Sequence, residues 1–408
     1  MSLSTTLFPP KQRPPSLAAE RATPVSISAV IPLYVYAVSL ASLLIVAGIL
    51  WDIAWHKSIG RDKFLSPPHI LIYLGAIFAG LFSGIQVLRN SYRPNTETKG
   101  ALVRVWGIFY SSLGALFCIW GAIAMLTSAP FDNWWHSAYG LDLAILTPPH
   151  TLLGLGMQCL QFGACVSICL HINILKARGA AERGQLRLLQ FLFIVCASSL
   201  MVMLFTLGSA YLDPREMRTS ICYQVATLIA LLFLPAFSRA LRMKWGMTSI
   251  ALGYFVIQAL SSWILRLFPA EPKLGPILTH ITHFQPAHFP LLIVVPALAM
   301  DVLIQRSKAG EWTKSLWLAL IFVGGLLVVQ YPFSKFLLES PGSRNWFFGE
   351  DTWYFGAIPD WPYRYKFRPQ DIEHSLPFAR GIFFAIGIGL VVSRISLRWG
   401  RWMQNIQR

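Results

Sequence analysis

The chain has 408 residues, of which 55% are hydrophobic and only 13% charged, and it carries a formal net charge of +16. A soluble domain carries about 25% charged residues, so this composition excludes an ordinary water-soluble enzyme and points to a protein that meets lipid. The positive surplus does not point to nucleic acid, because Lys and Arg fall in short loops between apolar runs and no nucleic-acid module is recognisable.

In chain order, residues 1–26 read as a basic, Pro-rich, disordered tail with no cleavable signal peptide. Ten apolar runs of roughly 20 residues follow, near 27–51, 69–88, 105–128, 149–170, 188–210, 219–237, 246–267, 289–304, 315–336 and 377–393. The expected fold is all-α, a polytopic transmembrane helix bundle of about ten spans in five hairpins. Its expected parts are a four-helix metal-binding module at 27–172 and a six-helix membrane region at 173–408. The second part carries a long extracytoplasmic loop near 337–376. Basic residues concentrate in one set of loops and both tails, including Arg89, Arg104, Lys176, Arg187, Arg239, Arg306 and Arg394. The positive-inside bias puts both termini in the cytoplasm, in a cytoplasmic (inner) membrane.

Histidine plays no part in that bias, yet His56, His69, His136, His150, His280, His283, His288 and His374 all fall on the opposite side. Only His171 does not. Four of them belong to a repeated constellation. The stretch from Trp51 to Ile70 reads WDIAWHKSIGRDKFLSPPHI, and about 80 residues on, FDNWWHSAYGLDLAILTPPHT repeats its frame. Asp52 and His56 are four apart and share a helix face, as do Asp132 and His136. His69 and His150 each follow a Pro-Pro step, where a new helix starts. One carboxylate and two imidazoles suit copper, zinc or iron and leave a coordination position for water or substrate. The expected ligands are therefore Asp52, His56, His69, Asp132, His136 and His150, forming one or two metal sites. Asp62 and Asp142 are placed to orient ligand imidazoles, Arg61 to offset charge, and Trp55 and Trp135 to wall the sites. The structural alternative is an interfacial aromatic belt with helix-capping Asp and His.

Other features are weaker. His280, His283 and His288 cluster without a fixed acidic partner, which allows a further metal site or a plain loop. Asp301 is an acid within a span, either functional or paired with Arg306. His374 stands where the last span starts, beside Asp371. The cysteines are read as small packing residues.

At the paired motifs the sequence resembles the metal-bearing membrane subunit of the copper membrane monooxygenases, the family of particulate methane and ammonia monooxygenases. Asp52, Trp55, His56, Arg61, Asp62, Pro67 and His69 fall in step with that family's D-x3-H-x12-H site. Asp132, Trp134, His136, Pro148 and His150 fall in step with its neighbouring N-x3-H-x13-H site, with Asp132 standing where the family has Asn. The resemblance covers roughly residues 27–172. It implies copper at both triads and a dioxygen-dependent oxidation of a small apolar substrate or ammonia. It also implies a reduced donor such as quinol, additional membrane subunits, an extracytoplasmic cupredoxin-type chain, and a homo- or hetero-oligomer. The alternatives are a non-enzymatic copper uptake or delivery protein, and a quinone or haem redox subunit.

Overall fold

The computed structural model describes residues 31–60, 63–92, 102–140, 147–177, 183–351, 354–358 and 372–407. The N-terminal tail expected at 1–26 lies outside them. Among the described residues, nine helices are long and apolar enough to cross a membrane. They are α1 (Leu33–Ser58), α2 (Pro67–Tyr92), α3 (Leu113–Tyr139), α4 (Pro148–Ala177) and α5 (Arg183–Leu207), then α7 (Ser220–Leu241), α8 (Gly246–Leu265), α10 (Glu311–Glu339) and α11 (Ser375–Gln404). Two short α-helices also lie among the described residues, α6 (Ser209–Leu212) and α9 (Val294–Arg306). The multi-pass all-α expectation holds at this level.

Two expected spans differ in detail. The run expected from residue 105 begins instead with a small antiparallel hairpin, β1 (Val103–Val105) paired with β2 (Phe109–Ser111). Its turn places Trp106 at φ 49° and Gly107 at φ 73°, the left-handed geometry of tight hairpin turns. Ser112 then caps α3 by accepting from the Ala115 N–H.

The second difference is the run expected at 289–304. Its helix, α9, has only 13 residues, about 20 Å of rise against a hydrocarbon core of about 30 Å. Pro286 and Pro290 keep the preceding segment extended, and Pro296 sits in the first turn, where its missing N–H costs nothing. Non-helical backbone at this depth needs partners from neighbouring helices. Tyr254, midway along α8, accepts from the Leu291 N–H at 3.3 Å, and Gln330 of α10 accepts from the Leu292 N–H at 2.9 Å. At the other end of α9, Asp301 accepts from Met247 N, Thr248 N and Thr248 Oγ1. This acid therefore caps the N-terminus of α8.

Helices α1 and α2 form one hairpin and α3 and α4 another, joined where α2 packs on α3 and α1 on α4. The backbones meet at small residues, as in other membrane bundles. A Cβ on Gly121 of α3 would stand 2.6 Å from the Gly156 carbonyl of α4. One on Gly48 of α1 would stand 3.1 Å from the Pro68 carbonyl of α2. One apolar core runs on from these hairpins into the rest, taking in Ile45, Phe193, Tyr223 and Phe322.

Gly121→Leu should force α3 and α4 apart. Overpacking of this kind costs about 1–3 kcal/mol. A clear fall in the unfolding temperature of the detergent-purified protein is expected; an unchanged temperature would show that the approach is not tight.

Candidate metal centre

The two motifs build the same local structure twice. Helices α1 and α3 each continue past the Asp and the first His, then close on a glycine in the left-handed region, Gly60 at φ 97° and Gly140 at φ 86°. That accounts for the shared glycine four residues after the histidine, because a Cβ there would strain the turn. Helices α2 and α4 then begin on Pro67 and Pro148, whose missing N–H groups fall among the unpaired donors of a first turn. His69 and His150 occupy that turn, where side chains lean back toward the helix start. Each triad thus draws two ligands from a helix end and one from the next helix start.

The second triad is closed. His136 Nε2 lies 3.5 Å from Asp132 Oδ2, and His150 Nε2 lies 3.3 Å from Asp132 Oδ1. One donor atom from each residue falls within 4.8 Å of the others, and this is the one such group among the described residues. Ligands bound at 2.0–2.2 Å in tetrahedral array stand about 3.4 Å apart, close to the distance of each histidine from the carboxylate, so the group could hold a metal ion. The proton on His136 is also placed. Its Nδ1 contacts the Gly140 carbonyl at 3.0 Å, and a carbonyl only accepts, so Nδ1 carries the hydrogen. In the neutral ring the lone pair is then on Nε2, which faces the carboxylate, as in a metal-ligating histidine. The three side chains are between a quarter and two fifths exposed, which leaves solvent access for a fourth ligand.

The first triad is partly assembled. Asp52 Oδ1 is closed off from solvent, forms no hydrogen bond and stands 3.2 Å from His69 Nε2. His56 is half exposed, with Nε2 at 3.8 Å from Asp52 Oδ2. Tyr73, one turn beyond His69, sets its ring 6.1 Å from the imidazole. Sequence reading missed this neighbour, although the i,i+4 spacing carried the signal. The end of α1 is held by the second half of the chain. Lys273 N–H donates to Ile59 O, Gln285 N–H to Ser58 Oγ, and Phe355 N–H to Lys57 O.

Of the supporting residues, Asp62, Arg61 and Asp142 lie outside the described residues. Trp55 packs on Phe284 at 6.2 Å, and Trp135 lies between Tyr139 at 4.5 Å and Phe131 at 6.2 Å. His280 and His283 are exposed, with His283 Nδ1 at 2.9 Å from Thr282 Oγ1. They form no metal group with His288 among the described residues. His374 takes the N-cap position of α11 without a side-chain cap bond, and Asp371 lies outside the described residues.

His288 has the acidic partners that the sequence did not reveal. Its Nε2 lies 3.4 Å from Asp213 Oδ2, and its Nδ1 lies 3.2 Å from Glu350 Oε1. Both ring nitrogens face carboxylates from different loops, so the ring is an imidazolium bridge. Burial alone would lower its pKa, but Glu350 and Asp213 outweigh burial and raise it to about 9. Burial likewise opposes ionisation of Asp213, and His288 and Arg215 overcome it, holding that carboxyl below its usual range. Arg215 donates to Asp213 at 2.9 Å, and Lys57 of α1 lies within electrostatic reach of both acids.

Comparison of the chain with family models, curated proteins and solved structures finds no match.

The bridge sets a pH dependence. The folded-state pKa of His288 is raised, so its stabilisation is complete below about 6.5 and is lost as pH rises through about 9. Melting temperature should fall between pH 7 and pH 9.5 (roughly the span around that pKa) in the parent chain, and less in His288→Gln. Parallel curves for the two proteins would rule the bridge out.

Proposed function

We propose that the chain is a multi-pass membrane copper protein with two Asp-His-His centres at the extracytoplasmic rim. The observation that carries this reading is the second triad, with three donors at co-ligand spacing and the Nε2 of His136 turned inward by its bond to Gly140. Mixed carboxylate and imidazole donors suit copper(II), and a neutral imidazole is the form that binds it. The opposite end of the bundle supports the orientation, because Arg239, Arg394 and Arg401 gather there around Glu311.

A copper ion at such a site supplies one-electron chemistry and a position open to dioxygen. The chain's own residues fix the donors and leave them partly open to solvent. By its resemblance to the metal-bearing subunit of copper membrane monooxygenases, the substrate class is small and apolar, or ammonia. Oxidation then draws on a reduced donor and on partner chains, because no electron-carrying domain is recognisable in this sequence.

The two centres should differ in affinity. The second triad needs no rearrangement, whereas His56 must swing inward to complete the first, and that ordering costs binding free energy. Titration of the purified, metal-stripped protein with copper(II), followed by electron paramagnetic resonance, should fill one two-nitrogen site before the other. His136→Ala and His150→Ala should each weaken the tighter site by roughly 100-fold or more. Two coppers per chain in both variants, as in the parent, would sink the reading. Dioxygen consumption with a quinol donor and membrane partners then tests the oxidase chemistry separately.

A further inference from the structure

We infer that the end of the bundle opposite the triads holds a binding site for the phosphodiester headgroup of an anionic phospholipid, built where α7, α10 and α11 meet. The inference uses the membrane-spanning fold and does not depend on the metal centre.

Glu311 opens α10 and receives three guanidinium groups. Arg239 Nη1 lies 3.3 Å from its Oε1, Arg401 Nη2 lies 2.8 Å from its Oε2, and Arg394 Nη1 donates to the same Oε2. Arg398 adds a fourth. Arg394, Arg398 and Arg401 stand four and three residues apart on α11, so they share one helix face, where like charges repel. The local count is four guanidiniums to one carboxylate. Asp301, the other described acid at this end, is taken up by the start of α8. The carbonyls that close α11 are also engaged. Asn173 Nδ2 donates to Met403 O at 2.9 Å, and Arg242 Nη2 donates to Gln404 O at 2.8 Å.

Positive charge left over among helix ends calls for an anion, and the donors for one are present. Among the described residues the Arg398 side chain makes no hydrogen bond or ion pair. Arg394 and Arg401 each bond Glu311 through one terminal nitrogen, which leaves the rest of each fork open. Such forks match the paired oxygens of a phosphate. The setting selects a lipid over a soluble anion. The exposed ring of Trp312 lies 5.4 Å from the Arg394 guanidinium, and exposed Trp402 follows Arg401. Tryptophan at this level marks the headgroup zone. From Arg398 toward the middle of the membrane, the adjoining face of α11 continues as exposed Ile395, Val391 and Phe384. That strip gives acyl chains an apolar bed directly beneath the phosphate. Basic pockets between membrane helices are the usual seats of anionic headgroups.

The test titrates the full chain in detergent with phosphatidylglycerol and with phosphatidylcholine of the same acyl length, and counts bound lipid by native mass spectrometry. Phosphatidylglycerol should bind tighter by roughly tenfold or more, about 1.4 kcal/mol. Arg398→Gln and Arg401→Gln should each remove most of that preference. The lipid-free melting temperature of Arg398→Gln should match the parent, because that side chain bonds to nothing in the described protein. Lys308→Gln, which removes an exposed cation at the same end but off α11, should keep the preference. Equal binding of the two lipids, full preference in Arg398→Gln, or equal losses in Lys308→Gln and Arg398→Gln would overturn the site, the last showing diffuse surface charge only. Inorganic phosphate displacing the lipid at equal concentration would overturn the lipid assignment.

Discussion

A carboxylate is brought within 3.5 Å of two imidazole nitrogens at the rim of an apolar bundle, and the local chain is built to hold them there. With Nδ1 of His136 bonded to Gly140, the neutral ring turns its Nε2 lone pair toward the carboxylate, the form in which histidine binds a metal ion. Much of the local architecture follows from keeping these groups together. The helix must run on to the first histidine, stop on a glycine, and restart on Pro-Pro so that the second histidine lies in a first turn. The close backbone packing of α3 on α4 at Gly121 and Gly156 then fixes the two helix ends against each other.

The two triads differ in setting. The second triad has its donors assembled at the ends of α3 and α4. The first lies at the end of α1, tied by backbone bonds to segments contributed by the second half of the chain. The His288 bridge belongs to the same tie, since Asp213, Glu350 and His288 come from three separate loops and Lys57 of α1 faces both acids. The second half therefore does more than fill the bilayer: it holds the rim around the first site.

Local features were legible in the sequence and long-range ones were not. Pairing of Asp52 with His56 and of Asp132 with His136 could be read because a helix converts a spacing of four into proximity. Their meeting with His69 and His150 could be read because Pro-Pro marks a helix start. The partners of His288 could not, because Asp213 and Glu350 lie 75 and 62 residues away along the chain and no local period brings them together. The short α9 was masked by apolar composition, although Pro286, Pro290 and Pro296 carried the signal. The sequence leaves Asp301 open between a role of its own and a pair with Arg306, and the structure gives it three donors at the start of α8.

Crystals or single particles of the copper-loaded chain, examined for the metal's own signal, address the central claim most directly. The account predicts an ion about 2.0–2.2 Å from an Asp132 oxygen and from Nε2 of both His136 and His150. Bound copper lodged elsewhere, with those three side chains joined only by protons, would contradict it.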